Sequence, residues 1–317
     1  MQPFSHETVL LYETVDALNV RPDGIYLDGT AGGGGHSELI AKRLTTGRLY
    51  ATDIDPDAVA AATARLAGLP ATVLHGSYAD LDRLLDGQGV DRLDGMVLDL
   101  GVSSHQLDEG ERGFSYKQDA PLDMRMGGNG PTAADILAGY SKQELIRVLR
   151  DYGDEAFAPA IASAIVAQRE RQPLQSTLQL AELVASCYPA AKRRGGNPAR
   201  KTFQALRIEV NGETDNIKNG ITAGFARLKP GGRLAVITFH SLEDRIVKTL
   251  FKDYLTGCIC DKSAPVCVCG RTPRARLITR KPVLPSAQET EHNRRSRSAR
   301  LRVIEKIKDS PYGGQEG

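Results

Sequence analysis

Apolar and polar positions along the chain follow a repeated pattern of short apolar runs and helical segments. The first apolar run ends at Asp28, and a glycine cluster follows it. Apolar residues with helical spacing, such as Leu39 and Ile40, come directly after the glycines. Further apolar runs begin at residues 48, 71 and 95, each followed by a polar loop. This order predicts the parallel sheet of a nucleotide-binding α/β domain.

A fifth apolar run, at residues 228 to 238, comes about 130 residues after the fourth, which is far longer than an ordinary connection between neighbouring strands. Helical spacing dominates the intervening segments 141–153, 157–172 and 177–188. We therefore predict a small helical domain inserted between the fourth and fifth strands, entered through a polar, glycine-rich segment at residues 107 to 130.

The remaining chain completes the predicted sheet. A helix with Ser241 as its N-cap is expected after the fifth run, and two further strands are expected at residues 276–280 and 300–306. The predicted domains are residues 1–107, the first part of the sheet, 108–211, the helical insertion, and 212–317, the second part of the sheet.

The glycine cluster at residues 32 to 35 is the first candidate for ligand binding. Glycine carries no Cβ and accepts positive φ, so the backbone can approach a ligand that lies against the following helix N-terminus. A plain flexible turn is the alternative. About 20 residues later Asp53 follows the second strand, where a carboxylate can accept both hydroxyls of a ribose. Asp55 and Asp57 are more simply explained as the start of the next helix.

Two further candidates lie at predicted strand ends. Tyr78 follows the third strand and can either stack on an adenine or pack on the loop below it. Asp99 ends the apolar fourth strand, where a carboxylate has little structural reason to be.

Charge is divided unevenly along the 317 residues. Residues 1–130 carry 10 Lys and Arg against 20 Asp and Glu, whereas residues 131–317 carry 31 against 19. The basic part includes loops at residues 192–201 and 294–302, which suggests a polyanionic partner such as nucleic acid, with a scattered solvated surface as the alternative. The chain begins with neither a basic nor an apolar leader, and no apolar run approaches the roughly 20 residues that span a bilayer. We therefore expect a soluble cytoplasmic protein without membrane contact.

Four of the five cysteines are crowded into twelve residues. Cys258-Ile-Cys260 and Cys267-Val-Cys269 are separated by six residues, so four thiolates can form a tetrahedral zinc site. The spacing is Cys-x-Cys instead of the commoner Cys-x-x-Cys, and four free thiols remain the alternative.

Several longer motifs occur together in this chain. They are Asp28-Gly-Thr-Ala-Gly-Gly-Gly-Gly-His-Ser, Asp53-Ile-Asp-Pro, Leu98-Asp-Leu-Gly-Val-Ser-Ser-His-Gln-Leu-Asp, Arg112-Gly-Phe-Ser-Tyr, Pro121-Leu-Asp-Met-Arg-Met, Thr202-Phe-Gln-Ala-Leu-Arg-Ile and Phe239-His-Ser-Leu-Glu-Asp-Arg-Ile-Val-Lys. In this combination the sequence resembles the bacterial 16S ribosomal RNA cytosine-N4 methyltransferases, the MraW or RsmH family, from about residue 6 to residue 306.

The resemblance implies an α/β fold, a Rossmann-like seven-stranded S-adenosylmethionine-dependent methyltransferase sheet with an inserted small helical domain. It implies S-adenosylmethionine as methyl donor and a decoding-region cytidine of 16S rRNA in the small ribosomal subunit as target, and a homodimer is left open. The implied donor site is formed by Gly34, Gly35, His36, Asp53, Tyr78, Asp99 and Gln106.

The residue that accepts hydrogen from the target amino group is left open. Related amino-methyltransferases use a carboxylate or carbonyl at the end of the fourth strand, within an Asp-Pro-Pro-aromatic motif, and Asp99-Leu-Gly-Val lacks the prolines and the aromatic residue. Asp99 and Asp123 are the catalytic candidates, and His240 is a further alternative.

Two other classes of function share parts of this pattern. A nicotinamide-dependent dehydrogenase also uses a glycine-rich turn and an acid after strand two, but its last glycine would fall at Ser37. A non-catalytic ribosome-binding module would not need a polar edge after strand four.

Overall fold

The computed structural model describes residues 8–195, 197–261 and 266–309. Within these residues, seven strands form one sheet: β1 (Ile25–Asp28), β2 (Arg48–Asp53), β3 (Ala71–His75), β4 (Leu93–Asp99), β5 (Leu228–Thr238), β6 (Ala275–Leu277) and β7 (Arg300–Lys306). The α-helices are α1 (Leu11–Leu18), α2 (Gly35–Ala41), α3 (Pro56–Arg65), α4 (Leu81–Asp86), α5 (Ser104–Asp108), α6 (Ala133–Gly139), α7 (Lys142–Gly153), α8 (Ala158–Arg169), α9 (Thr177–Ser186), α10 (Ala199–Asn211), α11 (Glu213–Arg227), α12 (Ser241–Leu255) and α13 (Ala287–His292).

The strand order in the sheet is β3-β2-β1-β4-β5-β7-β6. Strands β1 to β5 run parallel to one another, whereas β7 is antiparallel to both β5 and β6. The order reverses between β1 and β4, and in open α/β sheets the crevice beyond the carboxyl ends of such strands is where ligands bind. The predicted seven-stranded α/β sheet is confirmed.

Both faces of the sheet are covered, as the near-continuous apolar runs of its strands require. Along β4, Met96 and Leu98 enter one buried cluster with residues of α4, α11 and α12, while Val97 enters a second with residues of α1, α2 and α3. All three side chains are fully buried. The sheet is therefore a rigid support for the loops at its carboxyl edge.

A separate helical unit covers residues Val102–Glu213, and the sheet unit covers Met1–Gly101 and Thr214–Gly317. The sequence placed the boundaries after residues 107 and 211, so it assigned α5 to the sheet part. The structure groups α5 with the helical unit, in which it packs beside a short 3-10 turn at Gly110–Arg112.

The helical unit has its own apolar core, formed mainly by α6 to α10. Phe114, Leu122 and Met124 join this core from the segment that was predicted to be a polar entry. These apolar residues are isolated in sequence, so they produce no helical or strand period. A segment without periodicity can therefore still supply buried side chains.

The N-terminus of α12 differs from the prediction by one residue. His240, not Ser241, is the N-cap, and it forms a capping box with Glu243. The prediction was wrong because a serine followed by an acidic residue three positions later fits the pattern, whereas His240 is the last extended residue and Ser241 is already helical.

Within the described residues, no helix is both long and apolar enough to cross a bilayer. The cytoplasmic location stays a prediction.

Candidate active site

The glycine loop between β1 and α2 adopts the backbone that its sequence predicted. Gly32 has φ +49° and Gly34 has φ +78°, and Gly34 is the N-cap of α2. A Cβ on Gly34 would lie 3.2 Å from Arg65 Cδ, in a conformation that side chains rarely accept. Gly35 and His36 form the first turn of α2 and are buried. The loop therefore leads directly into the N-terminus of the seven-residue helix α2. Within the loop, Gly34 N already donates to Ala31 O at 2.7 Å.

Asp53, at the end of β2, holds the glycine loop from the side. Its Oδ2 accepts a hydrogen bond from Gly32 N at 2.8 Å, and its Oδ1 accepts one from Asp55 N at 2.9 Å. Burial raises the pKa of the Asp53 carboxyl. Each carboxylate oxygen has a second lone pair, so Asp53 keeps acceptor capacity for a ligand beside the loop.

Asp55 is the N-cap of α3 and accepts from Asp57 N at 3.1 Å, as the sequence predicted. Pro56 occupies the first position of the helix. This interpretation of Asp55 and Asp57 as the helix start is confirmed, and Asp53 is the carboxylate of this motif that faces the loop.

Asp28, at the end of β1, lies beneath the loop and is 1% exposed. Its Oδ2 accepts from Ser37 Oγ at 2.7 Å, and its Oδ1 accepts from Thr30 N at 3.1 Å. Burial raises the pKa of Asp28 to about 6, against the opposing effect of these two hydrogen bonds. The carboxylate thus connects the beginning of the loop to the helix that follows it.

Asp99, at the end of β4, is the least satisfied carboxylate at this edge. Its backbone N donates to Thr30 Oγ1 at 2.6 Å, but its Oδ1 is buried and has no hydrogen-bond partner among the described residues. Burial raises the pKa of Asp99 well above its usual value, and the negative charges of Asp28 and Glu243 raise it further. A buried acceptor without a donor is costly, so a ligand with a positive charge or a hydrogen-bond donor would be stabilised here.

Glu243, in the first turn of α12, completes this group of acids and is 1% exposed. Its Oε2 accepts from Phe239 N at 2.7 Å and from His240 N at 3.2 Å. Its Oε1 lies 2.9 Å from His240 Nε2 and would be 3.4 Å from a Cβ on Gly101, which has φ +95°. Glu243 therefore borders the turn that follows β4.

Tyr78 lies in the 3-10 turn after β3 and packs against its own domain. A Cβ added to Gly220 of α11 would come 2.3 Å from Tyr78 Cδ2, and one added to Gly29 would come 2.9 Å from Tyr78 Cβ. The side chain is half-buried at the margin of the core beside β4. Packing within the sheet unit thus accounts for part of the Tyr78 surface. The Cβ of Tyr78 lies beside Gly29, at the start of the loop after β1.

Gln106 and Asp123 belong to the helical unit. Gln106 is buried in α5 and forms a capping box with Ser103, whose N donates to Gln106 Oε1 at 3.0 Å. The Asp123 carboxylate accepts from Arg125 at 2.7 and 2.9 Å, and this ion pair lowers the pKa of Asp123. Asp123 is therefore already compensated by a cation, unlike Asp99.

The structure brings together the glycine loop, Asp53, Tyr78 and Asp99 within the sheet unit, and it adds two residues that the sequence analysis did not select. Asp28 could have been found, because it ends an apolar strand as Asp99 does. Glu243 gave no comparable signal, since an acid in the first turn of a helix is ordinary.

The basic segments are only partly in the form expected for a nucleic-acid surface. Arg300 and Arg302 are ion-paired with Asp244, at 3.3 and 2.7 Å. Arg294 and Arg297 are exposed. Part of the loop at residues 192–201, residue 196 and the side chains of residues 193–195, lies outside what the structure describes.

Comparison with known proteins identifies the family. The family model described as the MraW methylase family matches residues 3–307. The chain is 50% identical over 309 residues to "Ribosomal RNA small subunit methyltransferase H" of Lachnospira eligens, covering 96% of this chain and 98% of that protein. It is also 50% identical over 313 residues to the protein of the same name from Pelobacter propionicus, covering 97% and 100%.

Solved structures give weaker similarities. An rRNA methylase from Streptococcus thermophilus aligns with a TM-score of 0.44 at 11% identity, over 96% of this chain and 100% of that one. A methyltransferase from Streptococcus mutans in complex with SAH aligns with a TM-score of 0.43 at 12% identity, over 95% and 99%. Scores of this size carry no argument about this chain.

The sheet, the glycine loop and the acids at its carboxyl edge, together with the family match, define an S-adenosylmethionine-dependent methyltransferase. More particularly, the chain belongs to the MraW methylase family, since the match extends over almost its whole length. This assignment decides against the nicotinamide-dependent alternative.

The residues present fit the donor. The glycine loop allows close approach to the N-terminus of α2, because its residues carry no side chains. Asp53 offers carboxylate lone pairs beside the loop, and the buried Oδ1 of Asp99 offers an acceptor with no partner among the described residues. A sulfonium group carries a positive charge, which would oppose the effects of burial and of the Asp28 and Glu243 charges that raise the pKa of Asp99.

Proposed function

We propose that this protein methylates the exocyclic N4 of one cytidine in the decoding region of 16S rRNA, within an assembled or partly assembled small ribosomal subunit. The relatives' name supplies the class of RNA. The observation that carries the chemistry is the buried Oδ1 of Asp99, which has no partner among the described residues.

The donor side is assigned to the sheet unit. Gly35 and His36 would face the donor with the first backbone amides of α2, and Gly34, whose own N donates to Ala31 O at 2.7 Å, would let the donor approach closely. Asp53 would accept the ribose hydroxyls of the donor, and Tyr78 would adjoin its adenine. When bound, S-adenosylmethionine supplies a methyl group that is made electrophilic by the positively charged sulfur. Gln106 is kept as a donor-binding candidate from the family resemblance alone, and its side chain takes part in the α5 capping box.

Asp99 is assigned as the hydrogen acceptor for the target amine. The lone pair of a cytosine amino group is delocalised into the ring, so the nitrogen becomes nucleophilic only when its N–H groups are held and the nitrogen can pyramidalise. The ionised Asp99 carboxylate can accept one N–H and then the proton that the methylated nitrogen loses. Burial, and then the negative charges of Asp28 and Glu243, raise the pKa of Asp99 and so make it a stronger proton acceptor.

The two other candidate acceptors, Asp123 and His240, already take part in interactions within their own segments. Asp123 is ion-paired with Arg125, and its lowered pKa makes it a weak base. His240 caps α12 through Nδ1, which accepts from Glu243 N at 3.4 Å. We therefore assign both to positioning their own segments.

The RNA-binding surface is assigned in part to the segment that follows α13. Arg294 and Arg297 are exposed there, whereas Arg300 and Arg302 form ion pairs with Asp244. Cations that are not neutralised by the protein contribute most to phosphate binding, because each phosphate contact releases a counterion. The target cytidine must also leave its stack, which costs a few kcal/mol and favours an unpaired or easily opened site.

The test of the reaction uses ribosomal RNA from cells that lack the gene. Mass spectrometry should find no N4-methylcytidine at the target in the deletion strain, full restoration by wild type, and little restoration by Asp99→Asn. Asp91→Asn, which changes an exposed carboxylate just before β4, serves as the matched control. If N4-methylcytidine persisted in the deletion strain, the proposal that this protein makes the modification would be wrong.

The RNA surface has its own test. The double reversal Arg294→Glu and Arg297→Glu should weaken RNA binding and flatten its salt dependence while donor affinity stays unchanged. The matched control reverses two exposed cations elsewhere on the sheet unit, Arg83 and Lys252. Equal losses in both double variants would mean that only overall charge matters.

A further inference from the structure

Four thiols converge in the loop between α12 and β6. The Sγ atoms of Cys258, Cys260, Cys267 and Cys269 all lie within 4.8 Å of one another. The distances are 3.6 Å for Cys267–Cys269, 3.8 Å for Cys258–Cys269 and 4.0 Å for Cys260–Cys267. The loop thus holds a compact group of four sulfur atoms instead of two separate pairs.

These separations match one kind of metal centre. With Zn–S bonds of about 2.3 Å, tetrahedral geometry places the sulfur atoms about 3.8 Å apart. A disulfide would require sulfur atoms about 2.05 Å apart, which is far shorter than the separations in this loop. The observed arrangement is therefore that of four ligands around a single small cation.

We propose that Cys258, Cys260, Cys267 and Cys269 bind one Zn²⁺ and that this metal orders the loop leading to β6. The site lies within the sheet unit and follows the C-terminal end of α12, whereas Glu243 of the acid group lies in the first turn of that helix. Its role is structural, since four protein ligands leave no open coordination position.

Backbone hydrogen bonds to the sulfur atoms support the proposal. Ile259 N donates to Cys269 Sγ at 3.5 Å, and Val268 N donates to Cys260 Sγ at 3.4 Å. Each bond connects one Cys-x-Cys arm to the other. Such donors stabilise the negative charge of thiolates, which is the form that binds zinc.

Apolar burial does not account for the order of the described part of this loop. Ile259, Val266 and Val268 are 59%, 69% and 87% exposed. The base of the loop is attached through the ion pair between Arg271 and Asp253, at 2.7 Å. Beyond that ion pair, the sulfur cluster joins the two Cys-x-Cys arms, so a metal bound there would add to the local stability of the described part of the loop.

Zinc is favoured over other metals by the ligand set. Four thiolates in tetrahedral geometry suit zinc or a single iron. Zinc needs no redox partner, and the methyl-transfer reaction calls for none. Iron in the purified protein would therefore overturn the identity of the metal.

Metal content is the primary test. Full-length protein purified with a thiol reductant and without chelator should contain one zinc per chain by inductively coupled plasma mass spectrometry. The double variant Cys260→Ser and Cys267→Ser, one ligand from each arm, should contain less than about a tenth of that amount. Cys187→Ser, which alters the cysteine of the helical unit, should keep full zinc.

Three outcomes would overturn the proposal: wild type without zinc and with four titratable thiols in the loop, a disulfide between any two of the four, or full zinc in the double variant. Uptake of Co²⁺ by metal-stripped wild type, with thiolate-to-cobalt charge-transfer absorption, confirms sulfur ligation independently of catalysis.

A second measurement remains informative if the variant folds poorly. Treating wild-type protein with a chelator should increase protease cleavage within residues 256–274 at least about tenfold, because the metal supplies the loop's local stability. Donor affinity, measured in the same sample, should not change. Equal cleavage with and without chelator would contradict the structural role.

Discussion

Strand β4 has an aspartate at its second position and another at its last, and the two carboxylates have opposite environments. Asp94, near the amino end, accepts from Ile25 N at 2.8 Å and from Lys229 Nζ at 2.9 Å, and it is also ion-paired with Arg21. Burial alone would raise its pKa, but the three donors outweigh burial and lower it. Asp99, at the carboxyl end, has an unpartnered buried oxygen among the described residues and a raised pKa.

The difference separates structure from function within one strand. Asp94 connects the starts of β1, β4 and β5, so its charge contributes to stability. Asp99 lies among Asp28 and Glu243, whose charges oppose its ionisation. A carboxylate left without a compensating partner, five residues after one that is compensated, is typical of a group that binds a ligand.

The largest expected effect is on catalysis. Asp99→Asn should lower kcat about 100- to 1,000-fold. The amide is a poorer hydrogen-bond acceptor than the carboxylate, and it cannot take the proton that the methylated nitrogen loses. The free energy of unfolding should stay the same or increase, since a buried uncompensated acid is removed. Single-turnover methylation of RNA and denaturant unfolding measure the two quantities. A loss of stability equal to that of an Asp94 variant would show that Asp99 is structural.

The next effect concerns Asp28 and the pH dependence of stability. Its pKa is raised from 3.8 to about 6, so between these pH values the folded chain keeps a proton that the unfolded chain has lost. The free energy of unfolding therefore falls as pH rises through this window, by at most about 3 kcal/mol. Urea unfolding at several pH values should show a flatter profile for Asp28→Asn. An unchanged slope would assign the pH dependence to other groups.

A comparable loss of stability is expected at the amino end of the sheet. Asp94→Asn should lower the free energy of unfolding by about 2 to 3 kcal/mol, because two cations lose their partner and both are partly screened by solvent. Donor affinity should be unchanged. Asp91→Asn, at an exposed neighbouring position, is the control and should have less than about a quarter of the effect.

The smallest of the four effects is on donor affinity. Asp53→Ala should weaken S-adenosylmethionine binding at least about tenfold, through the loss of charge-assisted hydrogen bonds to the ribose. Asp57→Ala, an exposed position in the first turn of α3, should bind normally. Calorimetric titration of both variants decides, and equal affinities would remove Asp53 from the donor site.

Strand positions and the carboxyl-edge acids could be predicted because they depend on local patterns. Apolar runs ending at Asp53 and Asp99 located two strand ends, and the glycine spacing located the loop beside them. The compensation of Asp94 and the lack of it at Asp99 could not be predicted. Both depend on Arg21, Lys229 and Glu243, which are distant in sequence and meet these acids only through the sheet order.

The helical unit was harder to predict in detail. Its helices produced the expected period, yet Phe114, Leu122 and Met124 joined its core from a segment with no period at all. The sequence also did not identify His240 as the N-cap of α12. Both His240 and Ser241 precede an acidic residue by three positions, and only the backbone angles distinguish the two.

The central claim is that Asp99 is left uncompensated for a positively charged donor, and calorimetry with two ligands tests it most directly. S-adenosylmethionine carries a sulfonium charge, whereas S-adenosylhomocysteine has a neutral sulfur. For wild type, the preference for S-adenosylmethionine should grow as pH rises and Asp99 ionises, and binding below the raised pKa should release a proton. In Asp99→Asn the preference should be small and independent of pH. The same pH-dependent preference in Asp99→Asn as in wild type would contradict the account.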